Sequence, residues 1–255
     1  TNNDSAYETA ISLLQKGINI KAIIDNREEV DSKLIKEIKK NDIKIYKGYT
    51  GVDTFGYKKI NKISIMQLSK DGQKVVGSKI SIDCDCLGMS GGWTPAVHLF
   101  TQSGGKLKFR DEDQVFIPDT YPSDQISIGS CNGEFTLDEI LSSISKKLKD
   151  FLNIKKTEYE NLEIQSHFNK TKRNIWLLPS DKIIGKTKPF VDYQNDATAK
   201  DIKLALREGF RSIEHVKRYT TTGMGTDQGK LGNMHALGII SETAGSKMGE
   251  LGTTT

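Results

Sequence analysis

Apolar residues near the start of the chain recur with the spacing of one helix face, formed by Tyr7, Ala10, Ile11 and Leu14. The run from Ser5 to Glu8 has the form of a capping box, and Gly17 is placed to end the helix. A short apolar run at residues 20–25 predicts a buried strand, and the helix–strand order repeats up to residue 47. This order is half of a βαβ unit and predicts an α/β fold. Because no first strand precedes the helix, we expect the chain to be a piece of a longer protein.

The middle of the chain changes from helical spacing to strand alternation. Residues 60–83 alternate apolar and polar positions on both sides of Asp71-Gly72, which predicts a β-hairpin. Residues 85–89 and 125–128 are predicted as two further strands, and each ends in a glycine-rich turn. Thr136 then has the position of an N-cap, so a helix is expected to follow the second turn.

The second half of the chain is polar and then helical. Residues 146–188 are rich in Lys, Asn and Glu, which predicts a connector that is partly ordered at best. Helical spacing returns after Pro189, where Thr198 and Ser212 are placed to open two short helices. The run 219–230 contains too much Gly and Thr to be helical.

Composition excludes some classes of protein. The chain is 36% hydrophobic with a mean hydropathy of −0.48, and its apolar runs are too short to span a bilayer. The net charge of +4 is small and scattered, which argues against a nucleic-acid-binding specialist. Three cysteines are too few for a disulfide scaffold and are typical of a reducing compartment, so we expect a cytoplasmic protein.

The first α/β segment has only part of a dinucleotide site. Residues 2–5 stand where a glycine-rich phosphate loop is expected, and Asp25 stands where an acid would bind a ribose. Residues 2–5 contain no glycine, so the backbone cannot approach a pyrophosphate closely. The favoured interpretation is a retained fold with an empty site.

Two other patterns have unfavourable spacing. Gly88–Gly92 matches the G-x-S-x-G elbow of hydrolases, with Ser90 as nucleophile, but Gly92-Trp93-Thr94-Pro95 separates it from any helix. A partner histidine would have to be His167, His215 or His235.

The cysteines Cys84, Cys86 and Cys131 have no fourth ligand at a matching spacing. A metal site is therefore not favoured, and the cysteines are expected to be small buried residues.

Two segments have the chemistry of an anion site. Gly129–Gly133, placed between a predicted strand and a capped helix, could present free amides to a pyrophosphate, although a plain strand–helix turn is an equal alternative. Cations, hydroxyls and flexible glycine amides together make a phosphate cradle in the second segment, although a solvated basic helix end remains the alternative. This second cluster consists of His215, Lys217, Arg218, Thr220, Thr221, Asp227, Gln228 and Lys230.

Three blocks of sequence closely resemble the alpha subunit of heterotetrameric sarcosine oxidase. They are Thr1–Tyr7, Ser90–Leu99, and the segment from Phe190-Val191-Asp192-Tyr193-Gln194-Asn195-Asp196 to Thr226-Asp227-Gln228-Gly229-Lys230. Members of that family are longer, with further segments upstream and a folate-binding domain downstream. The resemblance implies a truncated two-dinucleotide-binding, Rossmann-like α/β flavoprotein domain followed by a small helical ferredoxin-like domain.

The resemblance also divides the chain. It implies a truncated second nucleotide-binding domain at 1–83, a return segment of the first, NAD-binding domain at 84–150, a connector at 151–188, and a helical FMN-contacting domain at 189–255. The cluster cysteines of a [2Fe-2S] ferredoxin are replaced by Asp192–Asn195 and Gly225–Gln228, so an iron–sulfur cluster is not expected.

The activity implied by the resemblance is oxidative demethylation of sarcosine to glycine, with hydrogen peroxide and formaldehyde or 5,10-methylenetetrahydrofolate as products. The family complex contains alpha, beta, gamma and delta subunits. FAD lies in beta, FMN lies between beta and alpha, NAD lies in alpha, and tetrahydrofolate binds the downstream domain. The resemblance therefore implies no catalytic residue in this chain. A subunit-docking module of a related amine, proline or opine dehydrogenase complex, without its own cofactor, remains the alternative.

Two sets of residues are the expected cofactor contacts. Gly129, Ser130, Phe135 and Leu137 follow the predicted strand, and this position predicts that they contact NAD. We expect this piece alone to bind NAD weakly or not at all. Charge and geometry together with the resemblance predict that FMN contacts Lys217, Arg218, Thr220, Thr221, Asp227, Gln228 and Lys230.

Overall fold

A computed structural model shows that the chain combines helices with small sheets. It describes residues 1–30, 32–122, 124–153, 174–182 and 186–252. Of these, residues 1–2, 6–91 and 174–252 form one compact unit, and residues 3–5 and 92–153 form a second. His167, Thr253–Thr255 and much of the predicted connector lie outside the described residues.

The first unit begins with the α/β segment that the sequence predicts. Its elements are α1 (Ser5–Gln15), β1 (Ala22–Asp25), α2 (Ser32–Lys40) and β2 (Lys44–Lys47), and the two strands are parallel. Their shared core is apolar and buried, and consists of Tyr7, Ala10, Ile23, Leu34, Ile35, Ile38 and Ile43. The prediction that Ser5 is the N-cap was wrong, because Ser5 is the first helical residue and its N–H donates to the Asn3 side chain over 3.2 Å.

An antiparallel sheet follows in the order β3-β4-β5. Its strands are β3 (Tyr49–Gly56), β4 (Ile60–Leu68) and β5 (Val75–Asp83). The predicted β4–β5 hairpin is confirmed, and Gly72 has φ +74° in its turn. The sequence did not predict β3, because its alternation is weak and it gains order by pairing with β4.

The predicted strand at residues 85–89 was wrong. Residues 84–97 contain no helix or strand, Met89 is 73% exposed, and Cys86 is also exposed. The apolar alternation there has no neighbouring strand with which to pair, so it does not form a ladder. The expectation that all three cysteines are buried core residues was therefore also wrong.

The second unit contains two helices and a hairpin. They are α3 (His98–Gln102), β6 (Lys106–Arg110), β7 (Val115–Thr120) and α4 (Leu137–Leu152). The predicted N-cap is confirmed, because the Thr136 hydroxyl accepts a hydrogen bond from the Glu139 N–H over 3.3 Å. The predicted strand at 125–128 was wrong: this segment pairs with no strand among the described residues and leads into a short 3-10 turn at Gly129–Asn132.

The last part of the first unit is a small hairpin followed by four helices. These elements are β8 (Phe190–Asp192), β9 (Ala197–Thr198), α5 (Ala199–Arg207), α6 (Ile213–Thr220), α7 (Asn233–Ala244) and α8 (Met248–Leu251). Thr198 and Ser212 are the N-caps of α5 and α6, as predicted, and the Asp201 carboxylate accepts from both the N–H and the hydroxyl of Thr198. Residues 221–230 are not helical, as predicted, but Tyr219 and Thr220 belong to α6, so the prediction for the run 219–230 was wrong at its first two residues.

Apolar packing joins α5, α6 and α7. The buried side chains between them include Ile202, Ala205, Val216, Ala236 and Ile240. Nowhere in the part of the chain that the structure describes does a helix have both the length and the apolar character required to cross a bilayer.

Candidate functional site

The loop between α6 and α7 holds most of the residues of the predicted phosphate cradle. The helix α6 ends at Thr220 because Thr221 takes the left-handed conformation with φ +57°. Gly223 and Gly229 also have positive φ, and a Cβ atom at either position would lie 2.1–2.2 Å from the Asn233 side chain. Only glycine allows the loop to fold this closely onto the start of α7. We name residues 221–232 the α6–α7 loop.

A buried carboxylate holds this loop against the β8–β9 hairpin. One oxygen of Asp192 accepts hydrogen bonds from the N–H groups of Gln194 (2.9 Å) and Asn195 (3.1 Å). Its other oxygen accepts from the Gly223 N–H (2.7 Å) and the Asn195 side-chain amide (3.3 Å). Burial alone would raise the pKa of Asp192, but these four donors outweigh it and hold the pKa below its ordinary value.

A second, more exposed contact reinforces the first. The side-chain oxygen of Gln194 accepts from the N–H and the hydroxyl of Thr226, over 2.6 and 2.7 Å. The Gln194 amide donates to Asp227 over 3.4 Å, and Asp227 also accepts from the N–H groups of Gly229 (3.4 Å) and Leu231 (3.2 Å). The loop is therefore tied at both its beginning and its middle.

The predicted threonines differ in what their hydroxyls can do. Thr220 is buried, and its hydroxyl bonds to the Val216 carbonyl (2.8 Å) and the Thr222 hydroxyl (2.7 Å), so it belongs to the helix end. Thr221 is exposed, and its hydroxyl donates to the Thr220 carbonyl over 2.6 Å. The structure therefore favours Thr221 over Thr220 as a group that could turn toward a ligand.

The predicted cations remain open to a ligand. Lys217 is half-buried, whereas Arg218 and Lys230 are exposed, as is Gln228. Within the described ranges, the side chains of Lys217, Arg218 and Lys230 donate no hydrogen bond and form no ion pair. Unpaired cations beside hydroxyls and turn amides fit the chemistry of a phosphate monoester.

The space beneath the α6–α7 loop is small. A cavity of about 10 Å³, which is about the volume of one water, lies among Ile202, Ile213, Val216, Lys217, Thr222, Asn233 and Ala236. This cavity is therefore too small for a ring-sized ligand. Large apolar side chains are exposed in and beside the loop: Tyr193 is 68% exposed, Met224 51% and Leu231 75%. Such residues beside a polar cluster are typical of a surface that contacts another protein.

The Gly129 turn in the second unit already holds a carboxylate of its own chain. Glu134 accepts hydrogen bonds from the Gly129 N–H (2.9 Å), Asn132 (2.8 Å), Ser143 (2.6 Å) and Lys147 (2.7 Å). Burial raises the pKa of Glu134, but the bonds from Lys147, Ser143 and Gly129 lower it further than burial raises it. The carboxylate therefore stays charged, and the Gly129 amide is not open to a pyrophosphate in this structure.

The other residues predicted for NAD differ in exposure. Ser130 is exposed, Phe135 is half-buried, and Leu137 is 56% exposed in the first turn of α4. Asp138 and Glu139 follow in that turn, so acids of the chain itself lie at the positive end of this helix. The segment offers a ligand the Ser130 hydroxyl and the apolar surface of Leu137, while Glu134 occupies the Gly129 amide.

Asp25, placed where a ribose-binding acid is expected, is held by side chains of its own unit. It is fully buried, and both its oxygens accept from the Arg27 guanidinium, while the Tyr7 hydroxyl donates to one of them over 3.0 Å. This arrangement leaves no exposed carboxylate at the end of β1.

The backbone around Ser90 does not have the form of a hydrolase elbow, although the His235 ring lies near Gly91, where a Cβ atom would be 3.7 Å from Nε2. A nucleophile elbow needs a strand before the serine and a helix directly after it, whereas Ser90 lies in a segment with neither. The His235 ring lies 3.3 Å from the Leu231 carbonyl, and the His215 ring contacts Phe210. Across the described residues there is no group of three or more His, Cys, Asp or Glu side chains that could hold a metal ion.

Comparison with known proteins identifies the segment that contains the loop. Residues 186–255 match the family model of the sarcosine oxidase A3 domain. The whole chain is 30% identical over 273 residues to sarcosine oxidase subunit alpha of Rhizobium meliloti (strain 1021), and 30% identical over 264 residues to that of Corynebacterium sp. (strain P-1). The chain is a homologue of sarcosine oxidase alpha subunits. It spans 24% and 27% of the length of these two relatives.

A solved structure supports the fold assignment. The crystal structure of L-proline dehydrogenase from P. horikoshii aligns with 92% of this alpha-subunit homologue and 47% of that chain, with a TM-score of 0.56 and 17% identity. At this identity the match shows a common α/β fold. The family resemblance found in the sequence is confirmed by the homologues that cover the whole chain.

Sequence reasoning did not identify the residues that organise these sites. Asp192 and Gln194 were noted as replacements for cluster ligands, whereas the structure shows that they hold the α6–α7 loop. An aspartate two residues before a turn amide is a typical side-chain-to-backbone turn signal, which could have indicated part of this role. The same signal is present at Asp25, whose carboxylate accepts from the N–H of Arg27 two residues later. Glu134 carried no such signal, because Ser143 and Lys147 of α4 come from further along the chain.

Proposed function

We propose that this chain is part of the alpha subunit of an oxidoreductase complex that oxidises sarcosine. In the balanced reaction, sarcosine, water and oxygen give glycine, formaldehyde and hydrogen peroxide; with tetrahydrofolate, the one-carbon unit leaves as 5,10-methylenetetrahydrofolate. Amine oxidation takes place at FAD in a beta subunit, and this chain contributes cofactor contacts. Homology to alpha subunits over the whole chain supports this proposal.

The α6–α7 loop is proposed to contact FMN shared with the beta subunit. Bound there, FMN would carry electrons from the FAD to oxygen. The observation that supports this role most strongly is the set of three cations, Lys217, Arg218 and Lys230, without a partner in the described part of the chain. A flavin phosphate carries nearly two negative charges, so these cations and the Thr221 hydroxyl would bind it by charge-assisted hydrogen bonds.

The ring side of the flavin requires different groups. Gln228 is exposed in the loop with φ +51°, and its amide can both donate and accept at an isoalloxazine edge. Asp227 would accept from a ribityl or ring donor when its long bonds to the loop backbone open. The exposed Tyr193, Met224 and Leu231 would be covered by the beta subunit, which excludes water from the flavin.

NAD is proposed to contact the second unit through Ser130, Phe135 and Leu137, with Gly129 shaping the turn. Glu134 occupies the Gly129 amide, so these residues would contact a ribose or base rather than the pyrophosphate. Other parts of a longer subunit would supply the remaining contacts, and a downstream domain would bind tetrahydrofolate. Beta, gamma and delta subunits are the proposed partners, in the cytoplasm.

The FMN proposal is tested by Lys230→Ala and Arg218→Ala in the intact complex. Loss of one charge-assisted bond should cost about 1.5–3 kcal/mol, which weakens the hold on FMN about tenfold to a hundredfold or slows its reduction. Reduction of FAD by sarcosine should remain near the original rate, because that step belongs to the beta subunit. Rapid-mixing spectroscopy separates the reduction of the two flavins.

Matched controls are available on α5. Lys200→Ala and Arg207→Ala each remove an exposed charge of the same type from the same small domain, and both should leave FMN unchanged. If Lys230→Ala and Arg218→Ala also keep FMN fully bound and reduced at the original rate, the loop is not the FMN site. A complex purified without flavin or NAD would instead support the docking-module alternative.

A further inference from the structure

We propose that Asp192 is a positioning residue for the FMN contact: its carboxylate holds the α6–α7 loop in the conformation that presents Lys230 and Gln228. This inference rests on the proposed function of the loop. Asp192 would touch no cofactor atom. It would act through Gly223, which lies 31 residues further along the chain.

The hydrogen bonds of Asp192 join two separate elements. One carboxylate oxygen bonds only to the hairpin, through the N–H groups of Gln194 and Asn195. The other oxygen receives the 2.7 Å bond from the Gly223 N–H, which starts the α6–α7 loop. With both oxygens in use and the residue 6% exposed, the carboxylate determines where the loop leaves α6.

Close packing makes this position specific. Gly223 has φ +73° and lies against Asn233, and in this conformation its N–H points to the Asp192 carboxylate. Gly232, at the other end of the loop, lies so near the Val191 carbonyl that a Cβ there would be 2.7 Å from the oxygen. The hairpin residues Val191 and Asp192 therefore contact both ends of the loop.

An asparagine cannot replace this carboxylate. Its side chain has one oxygen, and its NH₂ group must face either the hairpin N–H groups or the Gly223 N–H. A donor placed against a donor breaks the contact on that side and leaves a buried N–H without an acceptor. Two backbone N–H groups need the side-chain oxygen on the hairpin side and one needs it on the loop side, so the NH₂ group should face Gly223. Asp192→Asn should therefore release the loop while it changes the side-chain volume very little.

The test uses the intact complex with Asp192→Asn and the matched control Asp196→Asn. Asp196 lies exposed on the same hairpin with φ +53°, a conformation that asparagine adopts as readily as aspartate. Hydrogen-exchange mass spectrometry of a peptide covering residues 221–226 should show exchange about tenfold or more faster in Asp192→Asn, with α5 and α7 unchanged. FMN content or the rate of FMN reduction should fall in the same variant, and Asp196→Asn should match the unmodified complex.

Lys230→Ala separates the two proposals. It should impair FMN while it leaves exchange at 221–226 unchanged. Unchanged exchange in Asp192→Asn would overturn the positioning role. Faster exchange with normal FMN, while Lys230→Ala impairs FMN, would overturn this inference and leave the proposed function standing. If neither variant affects FMN, the proposed function fails and the inference fails with it.

A second variant covers the case in which Asp192→Asn does not fold. Gln194→Ala removes the exposed contact to Thr226 and retains the buried carboxylate. It should increase exchange at 221–226 relative to the unmodified complex and should slow FMN reduction. No change in either measurement would mean that the hairpin does not position the loop.

Discussion

The Arg27 guanidinium donates to the Asp25 carboxylate over 2.8 Å in a pair whose side chains are 3% and 0% exposed. The Arg27 backbone N–H donates to the same carboxylate over 2.9 Å, so the side chain and the backbone of one residue bind one acid. This pair ends β1 at the edge where α/β folds bind nucleotides. The chain thus uses Asp25, which stands where a ribose-binding acid is expected, to hold its own loop.

Breaking this pair should destabilise the first unit strongly. Arg27→Ala leaves the Asp25 carboxylate buried without its cation, which should cost about 3–5 kcal/mol of unfolding free energy. The double variant Asp25→Leu with Arg27→Met should cost less, because it removes the buried carboxylate together with its cation. Urea unfolding followed by circular dichroism measures both. Equal losses in the single and double variants would contradict a role based on charge compensation.

Close packing at Trp176 gives a second prediction. A Cβ atom at Gly238 of α7 would lie 2.2 Å from the Trp176 ring, so Gly238→Ala should displace the indole and cost about 1–3 kcal/mol. The tryptophan emission should shift to longer wavelength as the ring becomes more exposed. Gly88→Ala is the control, since a Cβ there has nothing within 4 Å and no positive φ is required. An unchanged emission spectrum in Gly238→Ala would show that the ring does not pack there.

Glu134 should contribute stability that is lost in acid. Its hydrogen bonds lower the folded-state pKa below the ordinary 4.5, so the folded state binds the proton less readily than the unfolded chain. The contribution is therefore fully present above about pH 4.5 and decreases as the pH falls through the lower, folded-state value. Thermal unfolding between about pH 3 and 6 should show a shallower acid decrease for Glu134→Gln. Glu37→Gln, at an exposed position, should retain the original slope.

Two glycines, one between α5 and α6 and one in the α6–α7 loop, distinguish the cost of backbone strain from the cost of close approach. Gly209 and Gly223 both have positive φ, but only Gly223 would place a Cβ against another side chain, at 2.1 Å from Asn233. Gly209→Ala should show only the cost of a left-handed alanine, about 1 kcal/mol, whereas Gly223→Ala should cost more and impair FMN reduction. Thermal unfolding and rapid mixing provide the two measurements. Equal stability losses with normal FMN reduction would contradict the close approach at Gly223.

Local patterns predicted the elements that depend on neighbouring residues. The helix–strand order of the first 47 residues, the β4–β5 hairpin and the N-caps Thr136, Thr198 and Ser212 were all confirmed. These features follow from side-chain periodicity and from hydrogen bonds between residues two to four positions apart. The predictions of strands at 85–89 and 125–128 were wrong, because a strand forms only when another strand is available for pairing, and this depends on distant residues.

The sequence alone determined the family, the α/β character and the cluster of cations around residues 217–230, because each depends on residue identity or short-range order. Only the tertiary structure decided which polar groups are already used. Tyr7 donates to Asp25 from 18 residues away, Lys147 binds Glu134 from 13 residues away, and Gly223 binds Asp192 from 31 residues away. Hydrogen bonds of this kind depend on the positions of packed elements, which spacing along the chain does not specify. Lys217, Arg218 and Lys230 therefore become the candidate ligand-binding groups only after the fold has satisfied the others.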